Sequence, residues 1–249
     1  VPTKADKDIH LHFLIGIVLI RLNAIKKIGN NIIQIPDKII IKAPIKMIIM
    51  NKINIKEYIP SIIIDLKYAS DDNFTGRVVK GYESPKCLLT FEAARSLKII
   101  QTILNNSGYS LKIYDAYRPQ QAVDHFVRWA KKLNDTLMKQ SYYPTIHKSD
   151  LFQLGFIASK SGHTRGSSVD LSIVEIKTNK EIDMGSSYDF FGATSHSFHK
   201  KLSSRQEKNR MLLRNIMIKN GFKPYDKEWW HYTLVDEPFP DTYFNFDIE

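Results

Sequence analysis

The sequence predicts an α+β fold, in which a single domain with a central, mainly antiparallel sheet is flanked by helices and preceded by an N-terminal extension. Two observations predict it. After residue 57, segments with apolar residues at helical spacing alternate with short segments of alternating polarity, and neither an internal repeat nor a low-complexity linker separates them. The preceding residues are instead rich in Ile, Lys and Asn. We therefore expect an extension over residues 1–50 and one domain over residues 51–249.

The overall composition is that of an ordinary globular protein, with 43% hydrophobic and 25% charged residues in a chain of 249. The net charge of +10 would suit nucleic acid, an anionic membrane surface or an acidic polymer such as cell wall. Because the lysines are spread along the chain and no nucleic-acid motif is recognisable, we expect no nucleic-acid partner. The single cysteine, Cys87, excludes an internal disulfide and a cysteine-based zinc cluster, and we expect it to be buried at the start of an apolar helix.

An apolar stretch in the extension, "HFLIGIVLI" over residues 12–20, is too short to span a bilayer. Lys4 and Lys7 precede it, as in a signal peptide, whereas Asp6 and Asp8 in the same region argue against that interpretation. We expect no stable membrane span. Two alternatives for the extension stay open, a targeting segment or a stretch upstream of the true start of the protein.

Three segments have apolar residues at helical spacing and are predicted helices, namely residues 86–109, 119–133 and 209–222. The first ends at an Asn-Asn-Ser-Gly stop signal, and the second opens with a proline in its first turn. Ser204 and Glu207 are expected to form a capping box ahead of the third helix, whose end is marked by Gly221.

Three further segments are predicted strands, namely residues 109–117, 168–176 and 228–235. In the second strand, apolar side chains alternate with Asp170 and Ser172, so Asp170 should point away from the apolar layer. Residues 178–181, "TNKE", are predicted to form the tip of a hairpin.

The stretch "SGHTRGSSVD", residues 161–170, is too rich in glycine and hydroxyl residues for a core. A loop histidine, His163, followed by Asp170 on the polar face of the next strand, can bring two ligand atoms to one point. A polar surface loop is the alternative interpretation. A second histidine with a nearby carboxylate would be needed to complete a site.

The stretch "EWWH" supplies both, because Glu228 and His231 lie three residues apart at the start of the last predicted strand. On a regular strand these positions face opposite sides, so both can reach one site only if Glu228 sits at an irregular strand end or on a bulge. Trp229 and Trp230 are expected to form an apolar wall around the site. The alternative is an aromatic core strand with a satisfied histidine and an exposed glutamate.

Two histidines and one carboxylate are the ligand set of a catalytic zinc that keeps an open position for water. Zinc lowers the pKa of that water towards about 7, and a carboxylate such as Glu228 that does not bind the metal can take its proton. Arg118, at the end of a predicted strand, could stabilise the oxyanion, or could simply cap the following turn at the surface. Four other histidines are predicted to be structural or solvated: His10, His12, His125 and His147.

"SGHTRGSSVDLSI" and "EWWHY" together resemble the paired S-x-H-x-x-G-x-x-x-D and E-x-W-H signatures of the zinc D,D-peptidases, and most closely those of the VanX-type D-alanyl-D-alanine dipeptidases. The resemblance extends to "DLKYASDDNFTGRVVKGYE", "YDAYRP" and "MGSSYDFF" and covers roughly residues 57–249. Residues 1–47 have no counterpart in it.

The resemblance implies zinc-dependent hydrolysis of D-alanyl-D-alanine to two D-alanines. Three residues would bind one zinc ion per chain: His163, Asp170 and His231. Glu228 would act as the general base and Arg118 as the oxyanion stabiliser. Three residues would line the substrate pocket: Tyr68, Ser161 and Asp189. A carboxylate and a hydroxyl around the free amino group of a dipeptide would favour a substrate with a free N-terminus one residue from the scissile bond.

Two alternatives to the dipeptidase stay open. One is a D,D-carboxypeptidase or other peptidase acting on cell-wall stem peptides, and the other is a non-catalytic metal-dependent binding module. His196 and His199 look metal-like in isolation, but the implied ligand set is complete without them, and His196 is interpreted as structural. A bacterial protein is implied, with the cytoplasm favoured over the periplasm, and homo-oligomerisation stays open.

Overall fold

The structure, a computed structural model, describes residues 52–248 and, within the extension, the backbone of five short strands. The chain divides into two compact units, residues 1–51 and 52–249. The strands of the first unit are β1 to β5: Leu11–Leu14, Ile17–Ile20, Lys26–Ile28, Asn31–Ile33 and Ile39–Ile40. β2 pairs with β1 and β5, and β3 pairs with β4. The basic end of the predicted targeting segment, with His10, lies outside the described residues.

The second unit contains strands β6 to β13: Ile53–Asn54, Ile63–Ile64, Leu88–Leu89, Tyr109–Asp115, Ser168–Glu175, Lys180–Glu181, Phe222–Tyr225 and Glu228–Leu234. Its helices are α1 to α5: Ile55–Tyr58, Phe91–Asn106, Gln120–Lys131, Lys139–Tyr142 and Ser204–Lys219. Four short 3-10 helices complete it: Lys67–Ala69, Lys148–Asp150, Gly162–Arg165 and Ala193–Ser195. Within these described residues, no helix combines the length and apolar character needed to cross a bilayer.

The central sheet has the order β12-β13-β10-β9-β7, with β11 paired to β10. All of these pairs are antiparallel except β7 with β9. α2 packs against β9 and α5 against β12, and the fully buried residues Leu97, Ile113, Leu171 and Leu213 lie in the core between helices and sheet. The predicted α+β fold with a mainly antiparallel, helix-flanked sheet is therefore confirmed. The predicted hairpin is present between β10 and β11.

Two local predictions are wrong. Cys87 is buried, but it does not begin a helix, because Leu88–Leu89 pairs with β6 and the helix starts only at Phe91. The capping box of α5 is formed by Ser203 and Gln206, one residue before the predicted pair Ser204 and Glu207. The stretch "SSRQE" permits both pairings, and a tertiary bond from Gln206 Nε2 to Asp183 Oδ2 at 2.9 Å favours the earlier one.

Two irregularities in the sheet prepare the site. On β10, Asp170 lies opposite His231 of β13 on one side and Asp115 of β9 on the other, and the β9 register shifts directly after it. On β13, Tyr232 pairs with Pro224 whereas Glu228 pairs with Tyr225, so the register shifts between these pairs. The strands therefore place Asp115, Asp170 and His231 side by side across the sheet. The register shift on β13 lets Glu228 depart from the regular alternation of side chains between the two faces.

Candidate metal centre and catalytic cavity

His163 lies on the 3-10 turn Gly162–Arg165 that leads into β10. Ser161 Oγ accepts the His163 N–H at 3.3 Å and so caps the turn. Gly166 ends it with a φ of 79°, in the left-handed region that favours glycine. Gly162 is required by space, because a Cβ there would lie 2.7 Å from Ser168 Oγ. The glycines and hydroxyl residues of this stretch thus form a tight turn that fixes the position of His163.

Three ligand atoms meet at the ends of β10 and β13. His163 Nε2 lies 3.1 Å from His231 Nδ1 and 3.2 Å from Asp170 Oδ1, and His231 Nδ1 lies 2.9 Å from Asp170 Oδ1. Within residues 52–248, these residues form the group of His, Cys, Asp or Glu side chains placed closely enough to hold an ion. We call them the ligand cluster.

The ligand cluster fits a tetrahedral metal ion. Two atoms each about 2.0 Å from such an ion lie roughly 3.3 Å apart, close to the separations observed here. His163 Nδ1 donates to the Ala116 carbonyl at 2.7 Å, which leaves the Nε2 lone pair facing the cluster. His231 Nε2 lies 3.3 Å from Thr233 Oγ1, so its other nitrogen, Nδ1, is available to an ion.

Within the ligand cluster, the attraction between opposite charges outweighs the effect of burial on the pKa values of Asp170 and His231. Burial opposes the ionisation of Asp170, but the two imidazoles outweigh it and hold the pKa of Asp170 well below its usual range. Burial lowers the pKa of His231, but the hydrogen bond to Asp170 and the charge of that carboxylate raise it by more, so the net shift is upward. Tyr188 donates its hydroxyl to Asp170 Oδ2 at 3.1 Å. The cluster therefore holds an ionised carboxylate at its centre.

Glu228 meets the geometric requirement set by the sequence. The register shift on β13 brings its Oε2 to 4.0 Å from His231 Nδ1, although the two residues are three apart. Burial raises the pKa of Glu228 to about 7, with Asp170 raising and His231 lowering it. A carboxyl group with this pKa can both take and return a proton near neutral pH.

The Arg118 side chain is 13% exposed and points inward, so it does not cap a surface turn. Its Nε and Nη2 donate to Asp115 Oδ2 at 2.9 and 2.8 Å, and Nη2 lies 3.6 Å from Asp170 Oδ2. The guanidinium carbon lies 5.0 Å from the centre of the Tyr68 ring. Arg118 therefore enters the site already paired with one carboxylate.

Asp115 also belongs to the site, although the sequence did not predict a role for it. It is fully buried, accepts the Tyr82 hydroxyl at 2.5 Å, and lies 3.5 Å from His163 Nδ1 in addition to its bonds with Arg118. Its only signal in the sequence is its place in "YDAYRP", three residues before Arg118, where a carboxylate at a strand end is not distinctive.

All eight sequence-predicted site residues line one cavity of about 290 Å³. The ligand cluster, Glu228 and Arg118 share it with the three predicted pocket residues, Tyr68, Ser161 and Asp189. Its apolar side is formed by aromatic rings, among them Phe74, Phe126 and Phe191. We call it the catalytic cavity.

Asp189 is a buried carboxylate that lacks a cationic partner among the described residues. Its backbone adopts a φ of 56°, uncommon for a residue other than glycine, and Tyr68 donates its hydroxyl to Oδ2 at 2.6 Å. Burial raises the pKa of Asp189 well above its usual range, although the Tyr68 hydrogen bond opposes the shift. An ammonium group bound beside it would restore the ionised form.

The prediction that Trp229 and Trp230 form a wall of the site is wrong, because neither tryptophan lines the cavity. Both are buried in the packed interior. Trp229 Nε1 donates to Ser186 Oγ at 3.0 Å, and Trp230 packs edge-on against Tyr188 at 5.4 Å between ring centres. Their contribution is indirect, since Tyr188 in turn bonds to Asp170.

The other described histidines have structural surroundings. His125 Nδ1 accepts the Lys80 N–H at 3.0 Å and His147 Nδ1 accepts the Ser149 N–H at 3.4 Å, as the structural interpretation predicts. His196 borders a neighbouring cavity, and its backbone carbonyl accepts a bond from Arg210 at 2.6 Å.

Comparisons with known proteins agree with this site. Residues 50–249 match the family model Peptidase_M15, described as D-ala-D-ala dipeptidase. A D-alanyl-D-alanine dipeptidase of Enterococcus faecalis is 45% identical over 184 residues, which are 74% of this chain and 91% of that protein. Those of Enterococcus faecium and Streptomyces coelicolor are 42% and 40% identical over 193 and 194 residues, in each case 78% of this chain and 96% of the relative. Similarity of this extent shows that the chain belongs to the Peptidase_M15 family of D-ala-D-ala dipeptidases.

Proposed function

We propose that this chain hydrolyses D-alanyl-D-alanine to two D-alanines, with one zinc ion held by the ligand cluster, and that residues 51–249 form the catalytic domain. The observation that carries the proposal is the catalytic cavity itself, which combines three converging ligand atoms, a half-buried glutamate and a buried carboxylate suited to an ammonium group. Relatives named as D-alanyl-D-alanine dipeptidases support the choice of substrate.

His163 and His231 would bind the ion through Nε2 and Nδ1, and Asp170 through Oδ1. Zinc, when bound there, would polarise the scissile carbonyl and lower the pKa of a water molecule. The Ala116 carbonyl holds the His163 ring in the required tautomer, and the Tyr188 hydroxyl holds the second oxygen of Asp170.

Glu228 would act as the general base and then as the general acid. It would take a proton from the attacking water as the new carbon–oxygen bond forms, and give that proton to the leaving amine as the carbon–nitrogen bond breaks. Its pKa of about 7 supports both transfers near neutral pH, because neither protonation state is strongly disfavoured.

Arg118 would stabilise the oxyanion. Its two bonds to Asp115 come from Nε and Nη2, which fixes the plane of the guanidinium and leaves Nη1 for the substrate. Asp115 would thus act as a positioning residue for both Arg118 and His163.

Asp189 and Tyr68 would bind the free amino group of the substrate, and Ser161 would complete the pocket wall. A buried carboxylate in a cavity of about 290 Å³ favours a small substrate that begins at this point, because a longer peptide would place a neutral amide against Asp189.

The test is to incubate the zinc-loaded protein separately with D-alanyl-D-alanine and with a stem pentapeptide that ends in the same two residues. We expect D-alanine release from the dipeptide and none from the pentapeptide. Cleavage of the pentapeptide alone would identify a D,D-carboxypeptidase instead. Zinc binding without cleavage of either peptide would identify a non-catalytic binding module.

A further inference from the structure

A second cavity of about 280 Å³ adjoins the catalytic cavity. The two cavities share four lining residues: Gly155, Phe156, Tyr225 and Glu228. His196 and Lys227 line the second cavity only. A substrate with its scissile bond beside Glu228 therefore has a second space open to the part that departs, and we call this space the leaving-group cavity.

Lys227 is the lysine of the leaving-group cavity, and its ammonium has no ion-pair partner among residues 52–248. No carboxylate of residues 52–248 lies within ion-pair distance of its ammonium, whereas Arg214, on the neighbouring helix α5, pairs with Asp226 at 2.8 Å. Lys227 Nζ lies 3.7 Å from the position that a Cβ of residue 155 would occupy, so it reaches the shared wall of the two cavities. Gly155 has a φ of 82° and presents bare backbone to this ammonium.

The charged groups along the two cavities follow the order of charges in a dipeptide. Asp189 lines the catalytic cavity alone, Glu228 lines both cavities, and Lys227 lines the leaving-group cavity alone. A dipeptide has its ammonium first, its peptide bond next and its carboxylate last. With the ammonium at Asp189 and the peptide bond at Glu228, the carboxylate would extend towards Lys227.

The other cations of the catalytic cavity are less suited to this carboxylate. Arg118 is bonded to Asp115, and the ammonium of Lys160 lies 4.9 Å from the centre of the Tyr243 ring at the surface. The imidazoles of the ligand cluster face the metal position.

We propose that Lys227 binds the C-terminal carboxylate of the dipeptide and makes the enzyme select substrates that end in a free carboxylate. The proposal rests on the function proposed above and extends it from the amino end of the substrate to the carboxyl end. Lys227 is then a specificity residue that contributes to binding in the ground state and the transition state alike, so its loss should raise KM more than it lowers kcat.

The experiment compares D-alanyl-D-alanine with D-alanyl-D-alaninamide, in which the carboxylate is replaced by a neutral amide. Both are assayed with zinc-loaded wild type, Lys227→Met and Lys227→Arg. Lys223→Met serves as the matched control, because Lys223 is an exposed lysine of the neighbouring strand and lines neither cavity.

We expect the wild type to prefer the acid. Lys227→Met should raise KM for the acid about tenfold, as for the loss of a charge-assisted hydrogen bond, with little change in kcat and little change for the amide. Lys227→Arg should recover most of the preference, and Lys223→Met should behave as the wild type. Because Lys227 is exposed, its replacement should not change the melting temperature.

The proposal is overturned if Lys227→Met keeps both the KM for the acid and the preference over the amide, or if Lys160→Met abolishes that preference instead. If zinc-loaded wild type cleaves neither compound, the proposed function itself fails and the role of Lys227 fails with it. The two failures are distinct, because the first is seen in variants of an active enzyme.

Discussion

The two ends of the catalytic cavity are built differently. The ligand cluster is carried by β10, β13 and the turn before β10, where Asp170 and His231 are directly paired across neighbouring strands. Asp189, at the amine end, lies on residues 184–196, which contain no strand and have the single 3-10 helix Ala193–Ser195. We call residues 184–196 the amine segment. One end is thus positioned by backbone ladders and the other by individual side-chain bonds.

Arg210 of α5 holds the amine segment at both of its ends. This buried side chain donates to the carbonyls of Met184 at 2.5 Å, Thr194 at 2.7 Å and His196 at 2.6 Å. One guanidinium therefore links the two ends of the segment that carries Asp189. The contrast indicates that metal binding and substrate binding can be perturbed largely separately. The bond from Tyr188 of the amine segment to Asp170 links the two ends.

The largest expected effect is at the ligand cluster. His163→Ala removes one of three ligands, so we expect loss of zinc and a fall in activity larger than the roughly 100-fold that changes outside the ligand set commonly cause. Metal analysis and turnover of D-alanyl-D-alanine measure both. His125→Ala is the control, since His125 lies outside the cavity and should keep zinc and activity. Full zinc content in His163→Ala would contradict the assigned ligand set.

Glu228→Gln should separate catalysis from metal binding within the same end of the cavity. The amide cannot accept the proton, so kcat should fall by about 10²- to 10⁴-fold while zinc content stays unchanged. Glu207→Gln, an exposed position on α5, is the control and should retain wild-type kcat. Near-native kcat in Glu228→Gln would exclude Glu228 as the base.

Asp189→Asn tests the amine end directly. Loss of the carboxylate removes a charge-assisted bond to the substrate ammonium, so KM should rise by about 10- to 100-fold with zinc content unchanged. The preference for D-alanyl-D-alanine over its N-acetyl derivative should also decrease. Asp241→Asn, an exposed change, is the control. An unchanged KM would place the amino group elsewhere.

Arg210→Met should produce the smallest effect on activity and show whether the amine segment depends on its side-chain bonds. Leaving buried carbonyls unpaired costs about 1–3 kcal/mol, and each kcal/mol lowers the melting temperature of a domain of this size by about 2–4 °C. We expect this loss of stability with a moderate rise in KM and unchanged zinc content.

Arg214→Met on the same helix is the control for Arg210→Met, because its bond with the exposed Asp226 is a surface pair worth little. If Arg210→Met released zinc while leaving KM unchanged, the two ends of the cavity would not be separable in the way their construction indicates.

The sequence by itself determined the fold class, the strands and helices near the site, and the ligand cluster with Glu228 and Arg118, because the signals for these are local. Tyr68, Ser161 and Asp189 were predicted only through the resemblance to a family. Glycine and hydroxyl residues in "SGHTRGSSVD" specify a tight turn before a strand, and the three-residue spacing of Glu228 and His231 already required an irregular strand.

Only the tertiary structure decided how these residues are supported. The bond from Gln206 to Asp183 favours the capping box that begins at Ser203. Because β8 pairs with β6, α2 begins only after Cys87. Both tryptophans are buried in the core and do not line the site. The roles of Asp115 and Arg210 likewise depend on partners far away in the chain or on carbonyl groups of irregular segments. Such contacts leave no periodic or compositional trace, because they are set by which surfaces pack together and not by the order of neighbouring residues.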